Sequence, residues 1–427
     1  MTGELETNHK EKTKAPSGAD TQKPAYTPLS KYYREPLNVL MDDYYNRLAD
    51  LESNRDRPVA WISTMVPIEI INASEVFPFY PENYAALCAS RGISDELIQT
   101  AESEGISRDL CGYATCNIGS VISGKWAFGN SGVPKPDLLI ATRLTCNIHI
   151  NWWLYLSKFY NVPLFIMDAP YRTSAQYEER DIEYFISQVK RLIRFIEDNT
   201  GNKLSWDKLL EIMALSDQAA VGWNEISQSR KNIPSPLGSK DVFSLMFPMV
   251  TLAGTQEAVQ FYKDVAGEVK RRVKLKMGAN ERHRLIWDLF PPWHDMKLWK
   301  EFDKEEAVFV IDFYADAFSG RLTDPDPYMS LVNKYLFNPT AQRGVAAKRK
   351  TIEKFVKEYS LDGAVFMSNR SCRYFSLGQL DIASHLRKNF NLPVLSFESD
   401  HMDEKKHDKN SAVSQIQTFL SILANGK

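Results

Sequence analysis

The chain alternates short apolar runs with longer segments in which apolar residues recur at helical spacing. In its first part, the runs 58–66, 137–142 and 162–168 are typical of buried strands, and the segment 150–160 between the last two has a helical pattern. Strand, helix and strand joined by short connections form a unit whose two strands are parallel. The pattern therefore predicts a parallel sheet in this part of the chain.

A second set of apolar runs, 307–314, 363–368 and 393–399, follows in the last third, with helical patterns over 351–359 and 377–390. Because the two kinds of segment alternate as in the first set, they predict a second α/β unit. In open parallel sheets, ligands bind outside the carboxyl ends of the strands. The segments directly after strands are therefore the first places where we expect a site.

The region between the two sets is helical in pattern. Residues 181–201 place apolar side chains on one face and end at Gly201, a typical helix stop, and helical patterns continue to about Lys276. The predicted fold is α/β, with two doubly wound, Rossmann-like parallel-sheet lobes and a helical middle. The predicted boundaries are a disordered tail over 1–30, a first lobe with N-terminal helices over 31–175, a helical segment over 176–280 and a second lobe over 281–427.

Composition and charge narrow the class of protein. The 427 residues include 52 Lys and Arg and 54 Asp and Glu, with no long block of either sign, so we expect neither a nucleic-acid nor a membrane partner. The most apolar stretch, 242–254, contains a proline and is shorter than the roughly 20 residues that cross a bilayer. The first residues lack the apolar core of a secretory signal, and 5 cysteines in such a chain are typical of a reduced cytoplasmic protein.

Two cysteines, Cys146 and Cys372, come directly after apolar runs that are predicted as strands. Cys372 lies between Arg370 and Arg373 and ahead of a predicted helix, an environment that favours a thiolate or a bound anion. Cys88, by contrast, has the neighbours of an apolar core residue, and we assign it no chemical role.

The spacing of the cysteines leaves their chemistry open. A nucleophilic Cys372 would need a histidine base, and the 7 histidines show no such pattern, so a metal or cluster ligand explains this residue equally well. Cys111 and Cys116 form C-x4-C, and Cys146 and His149 form C-x2-H, but neither has the second close pair that zinc sites usually show.

The run 119–125 has the spacing of a phosphate-binding loop, G-x-x-x-x-G-K, but Trp126 stands where a Ser or Thr hydroxyl would hold magnesium. It also follows a cysteine-containing turn rather than a plain strand. We interpret it as a chance match and expect no ATP hydrolysis by this chain, and no G-x-G-x-x-G fingerprint indicates NAD.

Seven segments spread over both predicted lobes carry a family resemblance. In chain order they are VPIEIINASEVFPF, LCGYATCNIGS, PKPDLLIATRLTC, NVPLFIMDAPY, IPSPLGS, LFPPWHD and SNRSCRYFSLGQLD. Together they resemble the 2-hydroxyacyl-CoA dehydratase and benzoyl-CoA reductase family, from about Tyr32 to the C terminus. The resemblance implies two flavodoxin-like lobes and a helical part, which agrees with the pattern of the sequence.

The resemblance further implies a [4Fe-4S] cluster held by three cysteines from separate segments, with one iron open to a non-cysteine ligand. By the motif match these cysteines are Cys111, Cys146 and Cys372. Cys111 is matched rather than Cys116 because the family's ligand precedes a glycine by eight residues, as Cys111 precedes Gly119. Cys116 is then either core filler or a departure that alters the cluster.

The segment VPIEII contains Glu69, which the resemblance implies to lie near the active site and which we predict as the catalytic base. A helix N-terminal carboxylate after Pro67 is the alternative and needs no catalysis. Arg373 follows Cys372 where relatives often have a lysine. Either cation would neutralise cluster charge or meet a CoA phosphate, and a solvated arginine is the alternative.

The function implied is that of one subunit of an oxygen-sensitive 2-hydroxyacyl-CoA dehydratase, which eliminates water from an acyl-CoA thioester through a ketyl radical. Such a subunit pairs with a homologous second subunit as a heterodimer and receives one electron from a separate ATP-hydrolysing iron-sulfur activator. ATP-dependent reduction of benzoyl-CoA is the alternative within the family. Outside it stand a zinc-stabilised binding protein that uses Cys146, His149 and Cys372, and a non-catalytic scaffold subunit.

Overall fold

The computed structural model describes residues 27–128, 133–171, 177–341 and 344–426. The strands are β1 (Val59–Ile62), β2 (Phe77–Phe79), β3 (Leu138–Thr142), β4 (Leu164–Met167), β5 (His283–Asp288), β6 (Ala307–Asp312), β7 (Gly363–Asn369) and β8 (Val394–Ser399). The α-helices are α1 (Leu29–Tyr32), α2 (Arg34–Asn54), α3 (Ile68–Ala73), α4 (Pro81–Ser90), α5 (Ser94–Ser103), α6 (Gly112–Ser123), α7 (Ile148–Tyr160), α8 (Glu179–Thr200), α9 (Trp206–Ser229), α10 (Ser239–Ser244), α11 (Phe247–Thr251), α12 (Gln256–Lys274), α13 (Lys300–Asp303), α14 (Phe313–Asp316), α15 (Pro327–Leu331), α16 (Val345–Glu358), α17 (Arg373–Ser376), α18 (Gln379–Phe390) and α19 (Lys409–Asn425). Short 3-10 helices cover Trp293–Trp299, Ala317–Ser319 and Glu404–Lys406, and a π-helical turn covers Val332–Leu336.

Within the described residues, the strands form two four-stranded sheets in which every strand pairing is parallel. The first sheet has the order β2-β1-β3-β4 and the second has the order β6-β5-β7-β8. Each sheet thus places its own strands in the order second, first, third, fourth, which begins the flavodoxin order. The prediction of an α/β fold with two parallel-sheet lobes is confirmed. We call the β1–β4 sheet with its helices the first lobe and the β5–β8 sheet with its helices the second lobe.

Two strands escape the sequence pattern for physical reasons. Strand β2 is short and contains Pro78, and it lies at the edge of its sheet, where a missing N–H costs no ladder hydrogen bond. Strand β5 is buried along its whole length but begins with His283 and Arg284. These polar residues leave an apolar run of only three residues, 285–287, which is too short to recognise as a strand. Arg284 is satisfied inside the protein by Glu281 at 2.6 Å and by the Tyr359 carbonyl at 2.8 Å.

The helical middle agrees with its pattern. Helix α8 ends at Gly201, whose φ of 75° is the left-handed conformation that glycine adopts without a steric penalty, and α12 closes the segment at Lys274. The predicted tail over 1–30 falls mostly on residues 1–26, outside the described residues. At its end the prediction is wrong: Leu29 is fully buried in α1, and the Ser30 backbone N–H and hydroxyl both donate to Asp241.

Most of the glycine-lysine run 119–125 is helical rather than a loop, because α6 continues to Ser123. Gly119 lies inside α6, and a Cβ at this position would stand 1.8 Å from the Leu97 carbonyl oxygen of α5. The two helices pack this closely because Gly119 has no side chain. The apolar stretch 242–254 forms parts of α10 and α11 and is largely buried. Among the described residues, no helix combines the length and the apolar character that a membrane span requires.

Candidate active site

A cavity of about 320 Å³ lies at the carboxyl ends of strands from both lobes. Its walls are mostly apolar and aromatic, and they come from the two lobes and from helices α10 and α11. Glu82 is the one carboxylate among the described residues that line it. The aromatic lining residues are Tyr113, Trp152, Phe243, Phe247, Phe290, Trp293, Tyr314, Phe318, Tyr374 and Phe375.

Cys111, Cys146 and Cys372 all line this cavity, and all three are free, half-buried thiols. Cys146 follows β3 and Cys372 follows β7, so each comes after the third strand of its own sheet. Burial raises the pKa of Cys372 to about 12, and burial followed by the charges of the other two thiols raises the pKa of Cys111 well above its ordinary value. The three sulfur atoms are therefore close enough to interact electrostatically.

Each of these cysteines lies at the start of a helix. Cys111 is the N-cap of α6, Cys372 is the N-cap of α17, and Cys146 directly precedes Asn147, the N-cap of α7. The first-turn amides of α6 and α17 lower the pKa of the Cys111 and Cys372 thiols, and burial outweighs them. Amides and helix dipoles that converge in this way stabilise negative charge on the sulfurs.

Direct packing between the lobes brings Cys111 to the loop that carries Cys372. The Gly112 backbone N–H donates to the Ser371 hydroxyl at 3.3 Å, and a Cβ at Gly112 would lie 2.5 Å from the Met402 Cβ. Only glycine permits this approach. The N terminus of α6 is thus seated on two loops of the second lobe.

The buried His149 and the half-buried Glu82 form a pair beside Cys146. Glu82 follows β2 at the start of α4, and its Oε1 lies 2.9 Å from His149 Nε2, while its Oε2 accepts from the Thr64 backbone N–H at 2.6 Å. His149 Nδ1 lies 3.2 Å from the Thr142 carbonyl, which can only accept, so Nδ1 carries a proton. The remaining nitrogen faces Glu82.

The pKa values of this pair move in opposite directions. Burial alone would raise the pKa of Glu82, but His149 and the Thr64 amide outweigh it and hold that pKa below its ordinary value. Burial alone would lower the pKa of His149, but Cys146 and Glu82 outweigh it and hold that pKa well above its ordinary value. The pair is therefore a carboxylate beside an imidazolium.

Glu69 does not join the cysteines. It is fully buried in α3 and accepts hydrogen bonds from Ser216 at 2.6 Å, Lys334 at 2.7 Å and Tyr335 at 2.7 Å, in a network that does not line the cavity. Burial would raise the pKa of Glu69, but Lys334 and these hydrogen bonds hold it below its ordinary value. Its predicted role as the base stays a prediction, and the carboxylate in the cavity is Glu82.

The arginines that flank Cys372 in sequence turn away from it. Arg370 pairs with Glu398 at the surface, where both side chains are more than half exposed, and Arg373 is also exposed. The cation beneath this loop is Lys348, whose Nζ binds Asp288 at 2.8 Å and the Phe375 carbonyl at 3.1 Å. The sequence missed it because Lys348 lies on α16, in another segment.

Cys116 does not line the cavity. It is fully buried on α6, as is Cys88 on α4, and the two thiols shift each other's pKa values. The geometry therefore separates Cys116 from Cys111, although both belong to the same C-x4-C segment. Cys88 occupies the core position expected of it.

A zinc site at Cys146, His149 and Cys372 does not agree with this geometry. Both ring nitrogens of His149 are engaged, one by the Thr142 carbonyl and one by Glu82. Within the part of the chain that the structure describes, no three His, Cys, Asp or Glu side chains are arranged to hold a single metal ion. Three thiols that interact across one cavity fit a larger sulfur-ligated group, because thiolates are the usual ligands of iron-sulfur clusters.

Comparison with known proteins agrees with the motif resemblance. The chain is 28% identical over 380 residues to the (R)-phenyllactyl-CoA dehydratase alpha subunit of Clostridium sporogenes, covering 87% of this chain and 91% of that protein. It is 26% identical over 400 residues to a benzoyl-CoA reductase subunit of Thauera aromatica, covering 89% and 91%. It is 22% identical over 464 residues to the alpha subunit of (R)-2-hydroxyglutaryl-CoA dehydratase of Acidaminococcus fermentans, covering 91% and 96%.

A protein-family model described as 2-hydroxyglutaryl-CoA dehydratase, D-component, matches residues 63–423. The match begins directly after β1, and it includes the other seven strands and all three cavity cysteines. The chain belongs to the 2-hydroxyglutaryl-CoA dehydratase D-component family, and it is an enzyme subunit of this dehydratase and benzoyl-CoA reductase kind.

Proposed function

We propose that this chain is the cluster-bearing subunit of a 2-hydroxyacyl-CoA dehydratase. One observation carries the proposal: three thiols from three chain segments open into a single, mostly apolar cavity, where Glu82 is the one carboxylate among the described lining residues. An elimination of water needs a group that handles a proton, and the radical route also needs a centre that delivers an electron. The cavity has residues suited to both tasks.

In this proposal Cys111, Cys146 and Cys372 hold a [4Fe-4S] cluster. The helix N-termini at Cys111 and Cys372 support it, because helix dipoles offset part of the negative charge of a thiolate-ligated cluster. When bound, the cluster would supply a single electron and a Lewis-acidic iron without a cysteine ligand. The remaining steps belong to the side chains around it.

Glu82 is the residue that we propose to move the proton. Its carboxylate is ionised and faces the cavity, and His149 with the Thr64 amide fixes its two oxygens in orientation. It can accept a proton from a substrate carbon, and the His149 imidazolium then neutralises the charge that Glu82 regains when the proton leaves. Positioned acid-base groups of this kind contribute about 10²–10⁴ in rate.

The apolar walls exclude water from the reacting thioester. Helices α10 and α11 and the link between them contribute Phe243, Met246 and Phe247, and the second lobe contributes Phe290 and Tyr314. Electrostatic interactions strengthen in such a dry site, and a radical is protected there from side reactions. The walls also give the acyl group of the substrate an apolar surface.

Reduction of an aromatic CoA thioester is the second candidate function. The many aromatic side chains that line the cavity favour it, because they would stack on a benzoyl ring. The likeness to the benzoyl-CoA reductase subunit points the same way. The two functions share the cluster and differ in the acyl group and in the fate of the hydroxyl.

The partners in this proposal are a homologous second subunit and a separate ATP-hydrolysing iron-sulfur activator, in the cytoplasm. Relatives that are named alpha subunits support the first partner. The helical state of 119–123 supports an ATPase on another chain, because this run has no free loop to cradle a phosphate.

Anaerobic purification with iron and sulfide analysis and EPR tests the cluster. Recombination with the neighbouring-gene subunit and activator, followed by assays with 2-hydroxyacyl-CoA and benzoyl-CoA thioesters, tests the reaction. Water elimination by the iron-loaded complex supports the proposal, and turnover of benzoyl-CoA alone favours the second candidate. Zinc without iron overturns the cluster, and iron without turnover of either thioester indicates a scaffold subunit.

A further inference from the structure

His401 is a buried histidine that the reaction described above does not use. It lies in the loop after β8, has no solvent exposure, and places Nε2 3.9 Å from the Cys111 sulfur, within hydrogen-bond range of a sulfur acceptor. The Tyr113 ring packs edge-on against it at 4.4 Å, and the Phe290 ring lies 5.3 Å away. The imidazole is therefore held in one orientation beside a cavity thiol.

The amide of Asn369 determines which ring nitrogen of His401 carries the proton. Its Oδ1 accepts from two backbone amides, Ser371 N at 3.0 Å and Cys372 N at 3.1 Å, so this atom must be the oxygen. Its Nδ2 then faces His401 Nδ1 at 2.7 Å. Because an amide nitrogen can only donate, His401 Nδ1 must accept and carries no proton.

A second group near Nδ1 does not change this assignment. The Asp400 carboxylate lies 3.5 Å from Nδ1, longer than the 2.7 Å of the Asn369 contact. Its oxygens already accept from the Met402 amide at 2.9 Å and the Ser371 hydroxyl at 2.5 Å. The imidazole is therefore neutral, with its proton on Nε2, and that proton faces Cys111.

We propose that His401 is a positioning residue that donates an N–H···S hydrogen bond to the Cys111 thiolate and thereby raises the reduction potential of the cluster, with Asn369 fixing its tautomer. The inference rests on the proposed function, since it needs the cluster. Reduction adds negative charge to the cluster, and a hydrogen bond to sulfur stabilises the more negative state more strongly. Because Nε2 is protonated, His401 has no free lone pair with which to bind the open iron.

The arrangement also links two cluster segments through one side chain. Asn369 Oδ1 holds the backbone of Cys372, and its Nδ2 orients the histidine that faces Cys111. A change at Asn369 would therefore disturb the surroundings of both sulfurs, whereas a change at His401 would remove only the donor to Cys111. For this reason His401 is the position to vary.

The test compares His401→Phe, which keeps a ring of similar size against Tyr113, with His401→Gln, which restores an N–H donor. His385→Phe is the matched control, because His385 is a half-buried histidine of α18 that pairs with Glu353 and does not line the cavity. Iron content and the cluster midpoint, from an EPR-monitored redox titration, are measured for the complete anaerobic protein. We expect His401→Phe to keep its iron and to show about a tenfold lower reduced-to-oxidised ratio at a fixed potential, or 59 mV for one electron.

We expect His401→Gln to recover part of this shift and His385→Phe to show none. An unchanged midpoint in iron-loaded His401→Phe, or an equal shift in the control, overturns the inference. If His401→Phe loses its iron, pulsed EPR of the wild type with ¹⁵N-labelled histidine is the deciding measurement. A weak coupling between the cluster spin and histidine ¹⁵N that disappears in His401→Gln supports the hydrogen bond. No coupling, or the strong coupling of a direct Fe–N bond, overturns it. Wild-type protein that binds no iron overturns the proposed function itself, and is thus distinguishable from a failure of this inference alone.

Discussion

Glu82 Oε1 and His149 Nε2 lie 2.9 Å apart at the wall of a cavity that is also lined by Cys146. The two residues come from different chain segments, Glu82 after β2 and His149 after β3. They meet because the carboxyl ends of these parallel strands lie on the same side of the first sheet. The relationship gives the cavity its one carboxylate among the described lining residues, in a fixed orientation. Catalysis by this subunit should therefore depend on Glu82 rather than on Glu69.

Glu82→Gln is expected to keep its iron and to lose about 10²–10⁴ in turnover, the usual contribution of a positioned acid or base. Glu69→Gln is the matched comparison, since the same change is made to a carboxylate outside the cavity. We expect its turnover per folded molecule to stay within a few-fold of wild type. The reverse pattern, with Glu69→Gln inactive and Glu82→Gln active, would return the base to Glu69.

Single Cys→Ser variants test the ligand set. Cys111→Ser, Cys146→Ser and Cys372→Ser should each lose most of the bound iron on anaerobic purification, because a hydroxyl is a poor substitute for a thiolate ligand. Cys116→Ser is the control on the same helix and should keep its iron. Iron lost from Cys116→Ser but kept by Cys111→Ser would show that the match to Cys111 is off by five residues.

Lys334→Met should destabilise the protein by about 3 kcal/mol, because it leaves the Glu69 carboxylate buried without its cation. Lys208→Met is the control, since it removes only a surface pair with Glu75, and we expect no measurable change in stability. Denaturant unfolding of the two variants measures the difference. Equal losses would mean that the buried pair contributes no more than the surface pair.

The same network predicts a pH dependence. In the wild type the folded-state pKa of Glu69 lies below its ordinary 4.5, so the stability that the network contributes is present above about pH 4.5 and is lost as the pH falls through the folded pKa. In Lys334→Met the folded-state pKa of Glu69 should instead lie above 4.5. The free-energy cost of burying the ionised carboxylate should then shrink as the pH is lowered, because the carboxyl group becomes protonated and neutral. The stability gap between wild type and variant should therefore narrow from pH 7 to pH 5, and a constant gap would contradict this account.

Gly119→Ala should destabilise the protein by about 1–3 kcal/mol, because its Cβ would stand 1.8 Å from the Leu97 carbonyl and force α5 and α6 apart. Gly267→Ala is the control, since this glycine in α12 has open space where a Cβ would lie. Helix propensity should then make the control more stable by about 0.5–1 kcal/mol. Thermal unfolding of the two variants measures the change in stability. An unchanged stability of Gly119→Ala would show that α5 and α6 can move apart at little cost.

Local pattern in the sequence was enough to predict part of the fold. Strands such as β3 and β7 and the amphipathic α8 are recognisable from apolar spacing, and the cysteines that follow β3 and β7 could be placed at a sheet edge from the sequence alone. Strand β5 was missed because it opens with His283 and Arg284. The Arg284 charge is satisfied by Glu281 and by the Tyr359 carbonyl, 75 residues away, and no local pattern shows such contacts.

The rest of the site depends on contacts between distant segments. Arg370 was expected to lie near Cys372, but its long side chain reaches Glu398 at the surface, and Lys348 approaches from another helix. Glu82 had a weak local signal, a carboxylate in the first turn of a helix after a short strand. His401 had none, because its role arises from Asn369, 32 residues earlier in the chain.

The seat of α6 on the second lobe has a further consequence. Cys111 and Cys146 belong to the first lobe and Cys372 to the second, so a cluster bonded to all three would be a covalent cross-link between the two sheets. It would close a chain segment that spans more than half of the protein, and closing a segment of that length restricts the unfolded chain. Loss of the iron on exposure to oxygen would then remove this cross-link together with the redox centre. Exposure to air would therefore unfold the protein as well as inactivate it.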